Sequence, residues 1–203
     1  MRIGILDHGV GNFGSVQNAL STLNYKCSLI KDPDKVIEPE ILIIPGVSSF
    51  PALMDAITIN NFVEPLVDRF KSGFAILGIC SGMQILASQS EEFQITQGLN
   101  FIPGKVKKLS IKNCELPQVG FNTVNFRNDL SNVEKDGDFF FLNSYGYFPE
   151  DENCILATYT YGETVAAVIK KNYVMGIQFH PEKSHMSGVY FLGRALESLK
   201  KHD

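Results

Sequence analysis

Cys80 is the residue best placed to do chemistry, because it stands in Gly78-Ile79-Cys80-Ser81-Gly82, a G-x-C-x-G spacing. That spacing is the cysteine counterpart of the nucleophile elbow, in which a strand turns sharply into a helix and presents its middle residue. Small flanking residues are needed so that neighbouring side chains do not collide, and Gly78 and Gly82 meet that need. A helix beginning beneath Cys80 would favour the thiolate, whose ordinary pKa is about 8.5. The alternative is a packed core cysteine, since free cysteine is among the most buried residue types. Two glycines at this spacing, after an apolar run, favour the nucleophile.

A nucleophilic thiol needs a base. Of the four histidines, His8 lies in the first loop and His202 in the C-terminal tail, while His180 and His185 follow the apolar run ending at Phe179. His180-Pro181-Glu182 places a carboxylate two residues after an imidazole, with a proline stiffening the link. Glu182 can then orient the ring and stabilise its charged form while His180 takes the thiol proton. The competing reading is a solvated loop with a surface ion pair. A thiolate attacking a carbonyl also needs donors for the oxyanion. The turn Pro45-Gly46-Val47 could present one backbone N–H, and the amide of Ser81 a second. Gly9-Val10-Gly11-Asn12-Phe13-Gly14 is a literal G-x-G-x-x-G, with Asp32 and Asp34 some way on. It is weak evidence for a dinucleotide, because the second half lacks the repeated βαβ units of a complete nucleotide-binding fold.

These residues must be positioned by the elements around them. Arg2–Asp7, Lys26–Ile30, Ile41–Ile44 and Phe74–Ile79 read as strands, the third stopped by Pro45-Gly46. Between them, Asn12–Leu23 has helical spacing, and Phe50–Phe70 is long enough for a helix broken near Pro65. Met83–Ser88 reads as the helix after the elbow. Strand alternating with helix is the signature of parallel βαβ units. Cys80 and His180 would then emerge together at the carboxyl edge of one parallel sheet, where open α/β sheets place their sites. After Gly98 the texture changes to strands: Lys105–Leu109, Phe121–Phe126, Asp138–Leu142, Cys154–Tyr161, Thr164–Lys170 and Tyr173–Phe179. Tyr161-Gly162-Glu163 and Lys171-Asn172 read as hairpin turns, and a helix over about Met186–Lys200 ends the chain. With no repeat or flexible linker, residues 1–203 read as one domain, an open mixed α/β sheet flanked by helices.

The 203 residues carry 18 Lys+Arg against 22 Asp+Glu, a formal net charge of −4. That balance argues against nucleic-acid or acidic-membrane partners, which want a basic face. No apolar run approaches the roughly 18–20 residues of a membrane span, and Ile3 to Leu6 is too short for a signal-peptide core. Cys27, Cys80, Cys114 and Cys154 are widely spaced with no C-x-x-C pair, so neither a disulfide framework nor a zinc site is expected. A reduced, cytoplasmic setting without metal or cofactor is the expectation.

Taken together, the motifs resemble the class I (triad-type) glutamine amidotransferases. The similarity runs nearly end to end. It covers Asp7-His8-Gly9-Val10-Gly11-Asn12 with Ser15-Val16, Pro45-Gly46-Val47 with Phe50, and Gly78-Ile79-Cys80-Ser81-Gly82-Met83-Gln84. It continues through Pro117 with Gly120-Phe121-Asn122, Asn143-Ser144-Tyr145, and Gln178-Phe179-His180-Pro181-Glu182-Lys183-Ser184. The branch it resembles most holds the glutaminase subunits of imidazole glycerol phosphate synthase, from histidine biosynthesis. The resemblance implies a flavodoxin-like fold and an attack by Cys80 on L-glutamine, with His180 as base and acid and Glu182 orienting it. Gly46, Val47 and Ser81 would form the oxyanion site, Gln84 would help bind glutamine, and Asn143, Ser144 and Tyr145 would hold its amino-acid end. It also implies a heterodimer with a (β/α)8-barrel cyclase that receives the ammonia.

Five positions depart from the usual pattern. Ser48 stands where glycine is usual, Ser81 where leucine is, Phe121 for tryptophan, and Gln118 and Asn143 for histidine. None removes a catalytic group, but they leave open a paralogous role supplying ammonia to a sugar amidotransferase in bacterial surface-polysaccharide synthesis. A cysteine hydrolase of the same superfamily that does not use glutamine is a further alternative, which His180-Pro181-Glu182 and Gln84 oppose.

Overall fold

Alternation along four N-terminal strands decides how the sheet is packed. In the computed structural model, which describes residues 1–111, 114–127 and 137–200, these are β1 (Ile3–Leu6), β2 (Cys27–Ile30), β3 (Ile41–Gly46) and β4 (Ala75–Cys80). All but β2 are buried along their whole length. Ile3, Ile5, Ile43 and Leu77 enter one apolar cluster, while Leu6, Leu42, Ile44 and Ile76 enter another on the opposite face. Helix α1 (Phe13–Thr22) joins the first cluster through Val16, Ala19 and Leu20. Helices α2 (Phe50–Ile59) and α3 (Val63–Lys71) join the second through Phe50, Leu53, Ile57 and Leu66.

The chain then makes a single helical turn, α4 (Ser81–Gln84), and two short strands, β5 (Gln89–Ser90) and β6 (Thr96–Gln97). Next come β7 (Gly104–Lys108), β8 (Gln118–Phe126), β9 (Gly137–Asn143) and β10 (Tyr145–Pro149). The hairpins that follow are β11 (Ile155–Tyr161), β12 (Glu163–Lys171) and β13 (Val174–Ile177), before the last helix α5 (His185–Leu199). Among the described residues, nine strands form one sheet in the order β2-β1-β3-β4-β13-β12-β11-β8-β9. Its first five strands are parallel and the rest antiparallel, which is the expected open mixed α/β sheet. A smaller sheet, β10-β7-β5-β6, lies beside it.

Four expectations need correction. First, β3 does not stop at Pro45-Gly46 but includes both, pairing Pro45 with Ile79 and Gly46 with Cys80. Its pairing with β1 has already ended at Ile43, so on that side the proline interrupts no ladder. Second, the break between α2 and α3 falls at Asn60-Asn61, where Asn61 has φ 59°, and not near Pro65. Pro65 sits in the first turn of α3, where its missing N–H has no partner to lose. Third, the helix expected over Met83–Ser88 is only the one turn of α4. After it the bonds tighten to i→i−3, Leu86 to Met83 and Ala87 to Gln84, and the carbonyls of Ile85, Leu86, Ala87 and Ser88 accept from Leu99, Ile102, Asn100 and Gly98 of a returning loop instead of from a further turn. Fourth, β10 and the small sheet were not expected. His202 lies outside the described residues.

Arg69 ties the starts of β3 and β4 together. Its guanidinium is fully buried and donates to the carbonyls of Val36 (2.7 Å), Glu40 (3.2 Å) and Ala75 (2.8 Å and 3.2 Å). Arg69→Met fills the volume but leaves those acceptors dry. It should lower stability by about 3 kcal/mol or more, seen as a reduced urea midpoint at an unchanged denaturant slope. An unaltered midpoint would show that water replaces the guanidinium without cost.

Candidate active site

The turn after β4 forces Cys80 into φ 55°, ψ −115°, a region a non-glycine residue enters at a cost of about 1–3 kcal/mol. Tight packing imposes it. A Cβ on Gly78 would lie 2.3 Å from the Gly82 carbonyl oxygen, and one on Gly82 would lie 1.9 Å from that of Ile44. The elbow glycines are therefore needed for close backbone approach, as the G-x-C-x-G spacing implied. Because α4 is one turn, few aligned peptides stand beneath the sulfur, and a helix macrodipole is a smaller influence on Cys80 than expected.

His180 arrives from the neighbouring strand. β13 pairs in parallel with β4, Ile177 opposite Ile79, and the chain runs on three residues past that pair. The His180 N–H donates to the Phe140 carbonyl at 2.8 Å, and the Ser184 hydroxyl donates to the His180 carbonyl at 2.6 Å. A 3-10 turn over Pro181–Lys183 brings Glu182 back, so that Nδ1 of His180 donates to Oε1 of Glu182 at 2.8 Å. Their side chains are 1% and 2% exposed, which rules out the solvated surface pair. With Nδ1 occupied, Nε2 is left without a partner in the cavity that Cys80 shares. Burial by itself would lower the His180 pKa. The attraction of the ring to Cys80 and Glu182 outweighs that and holds it well above 6.5.

Cys80 and His180 line a cavity of about 400 Å³. Of the other residues the sequence singled out, Val47, Ser81, Gln84, Asn143, Ser144 and Tyr145 also line it. Gly46 lies opposite Cys80 in register, packed against the Ser81 side chain. Gln84 is more structural than expected: both its amide hydrogens are spent, on the Tyr145 carbonyl and the Gln178 side chain, each at 3.0 Å. Asn143 likewise uses its amide nitrogen on the Tyr145 carbonyl (3.1 Å) and the Tyr159 hydroxyl (2.9 Å). These bonds hold the β9–β10 junction, where the two sheets meet, against the wall of the cavity.

Sequence reasoning missed Glu92 and Lys108, which bring opposite charges to the cavity. Burial raises the Glu92 pKa, and the Phe50 N–H, which donates to its carboxylate at 2.7 Å, opposes that rise. Neither residue belongs to a motif. His8 belongs to the first-loop motif Asp7-His8-Gly9. It is buried, with Nε2 donating to the Pro45 carbonyl at 2.7 Å, so it braces the strand that ends at Gly46. The glycine-rich loop thus serves that strand, and Asp32 caps the 3-10 turn over Pro33–Lys35 instead of reaching a ribose.

The profile of the family described as Glutamine amidotransferase class-I matches residues 4–192. The chain belongs to that family. Among curated relatives, the imidazole glycerol phosphate synthase subunit HisH of Zymomonas mobilis is 37% identical over 96% of this chain and 95% of its own. The subunit of the same name from Leptospira interrogans is 39% identical over 94% and 97%. Two solved structures share the fold. One is described as a glutamine amidotransferase, with TM-score 0.76, 18% identity and coverage of 95% and 98%. The other is PurLQS from Thermotoga maritima, with TM-score 0.72, 18% identity and coverage of 98% and 99%.

Two consequences of this amidotransferase geometry can be measured. Gly82→Ala drives a methyl group into the Ile44 carbonyl and should destabilise by about 2 kcal/mol or more. It should also slow alkylation of Cys80; normal stability would mean that β3 can move aside. Glu182→Gln removes the carboxylate that favours the imidazolium, so the His180 pKa should fall. A histidine NMR titration reads this directly, and a rise would contradict the geometry.

Proposed function

We infer that this chain is the glutaminase subunit of imidazole glycerol phosphate synthase in histidine biosynthesis. Curated relatives of that name, similar over nearly their whole length, support the branch. The observation that carries the chemistry is the buried His180–Glu182 pair opening into the cavity of Cys80. On this reading residues 1–203 form one glutaminase domain, and the cytoplasm, where the thiol stays reduced, is its setting. Among the described residues no helix is long and apolar enough to cross a membrane.

The steps follow from the groups present. The Cys80 thiolate adds to the γ-carboxamide carbon of L-glutamine, and the carbonyl electron pair moves onto oxygen. The N–H groups of Val47 and Ser81 stabilise that oxyanion. His180, protonated, gives its Nε2 proton to the amide nitrogen, ammonia leaves, and a γ-glutamyl thioester remains. His180 then takes a proton from water, hydroxide adds to the thioester, and collapse of the adduct frees glutamate and the thiolate. Glu182 keeps the ring oriented and compensates its charge throughout. Lys108 and Glu92 suit the α-carboxylate and α-ammonium of a free amino acid, which gives the cavity a reason to prefer glutamine over a larger amide.

Ammonia is protonated at neutral pH and loses its nucleophilicity, so a direct route to the acceptor is favoured. A (β/α)8-barrel cyclase docked over the cavity would provide one. Val47 and Phe93 line the cavity and are 44% and 84% exposed, an apolar rim suited to such a partner.

Glutamate release measured with the cyclase subunit and its ribonucleotide ligand tests the assignment. Strong stimulation is expected. Cys80→Ala should abolish release while leaving docking intact, and His180→Ala should lower it by about 10²-fold or more. Release that survives Cys80→Ala would remove the proposed nucleophile. No stimulation, with Cys80 still labelled by a glutamine analogue, would move the protein to the polysaccharide branch. No labelling at all would point to a cysteine hydrolase of another specificity.

A further inference from the structure

Six buried side-chain nitrogen or oxygen atoms among the described residues lack a hydrogen-bond partner: Ser48 Oγ, Ser81 Oγ, Gln118 Oε1, Asn143 Oδ1, His180 Nε2 and Glu182 Oε2. Four of these residues, Ser48, Ser81, Asn143 and His180, line the cavity beside Cys80. Buried polar groups are normally satisfied, so such a cluster around one cavity marks atoms whose partner is the ligand. The glutaminase steps already employ His180 Nε2. Asn143 Oδ1, an acceptor only, suits an ammonium or amide hydrogen of the substrate. The hydroxyls of Ser48 and Ser81 have no role in those steps, and they stand at two of the positions where the family pattern carries no hydroxyl.

Ser81 is the better placed of the two. Its side chain is 2% exposed, and its Oγ fills the space a Gly46 Cβ would need, at 2.1 Å from that position. The hydroxyl therefore occupies the seam between the elbow and Gly46, on the residue whose own N–H is assigned to the oxyanion and against the neighbour of Val47, which is assigned the other. An alkoxide has three lone pairs, and two N–H donors leave one open. We propose that Ser81 is a catalytic residue through its side chain: its hydroxyl is a third donor to the oxyanion that forms on glutamine. The proton stays on Ser81; no bond is made or broken at Oγ. A neutral amide oxygen gains less from this donor than the charged alkoxide does, so the hydroxyl acts mainly on the transition state.

The inference rests on the glutaminase reading, and the test separates the two. Glutamate release is measured with the liganded cyclase for wild type, Ser81→Ala and Ser48→Ala, beside the rate at which iodoacetamide alkylates Cys80. For Ser81→Ala, kcat should fall about tenfold or more while KM stays within about threefold. Alkylation, which forms no oxyanion, should keep its wild-type rate. Unchanged kcat would overturn the proposal, as would a rise in KM alone, which marks ground-state binding. A parallel loss of alkylation would show that Ser81 only shapes the elbow. The same signature in Ser48→Ala and not in Ser81→Ala would assign the donor to Ser48 and overturn it as stated. A wild type that alkylates but releases no glutamate would overturn the glutaminase reading itself, a result distinct from an active wild type indifferent to Ser81→Ala.

Discussion

Everything at this site depends on how closely the helical turn after β4 approaches the end of β3. Gly82 lies so near the Ile44 carbonyl that no side chain fits between them, and Gly78 is pressed in the same way against Gly82. Backbone in contact with backbone at this range cannot slide by fractions of an ångström as packed side chains can. The contact fixes the strained conformation of Cys80 and, in the same stroke, the position of the chain that continues through Gly46 and Val47. The elbow and the end of β3 are thus one rigid unit, braced on its far side by the bond from His8 to the Pro45 carbonyl. The strain at Cys80 is sustained because its strand, β4, is paired on both sides with fully buried strands, β3 and β13.

The general base is built by a different device. His180 belongs to no strand, yet it cannot wander, since its backbone bridges to Phe140 and its carbonyl is capped by Ser184. The ring is held by Glu182 on one nitrogen only. Its other nitrogen is kept from any structural partner and stays available to Cys80 and the substrate.

Periodicity and spacing made the parallel half of the sheet legible, because a strand buried on both faces reads as an unbroken apolar run, as in Ile41–Ile44. They also made the triad legible, since Cys80 and His180 each follow such a run and Glu182 is tied to His180 by a rigid proline. What could not be read has a common physical origin: it is decided by partners distant in sequence. The helix expected after Met83 goes no further than one turn, and Leu99 to Ile102 return to bond the carbonyls that follow it. β10 includes Gly146 and Pro149 and exists because β7 waits to pair with it. Gln84 lines the cavity, and its donors go to Tyr145 and Gln178, both distant in sequence. Glu92 and Lys108 carry no local signature, and only the folding of the small sheet against the large one brings them to the cavity.

The distribution of unpartnered atoms separates positioning from recognition. Residues whose donors are occupied by backbone carbonyls, such as Arg69 and His8, hold that backbone in place. Those left open, His180 Nε2, Asn143 Oδ1 and the hydroxyls of Ser48 and Ser81, belong to residues that line one cavity and include both donors and an acceptor. A single primary carboxamide attached to an amino acid offers the complementary set: a carbonyl oxygen, amide hydrogens and an ammonium. Binding therefore relieves a desolvation cost the empty site already carries, and the gain is greatest where charge develops on the carboxamide oxygen. Selectivity and rate acceleration then share one source, because the donors that reject an apolar occupant are the ones that stabilise the oxyanion.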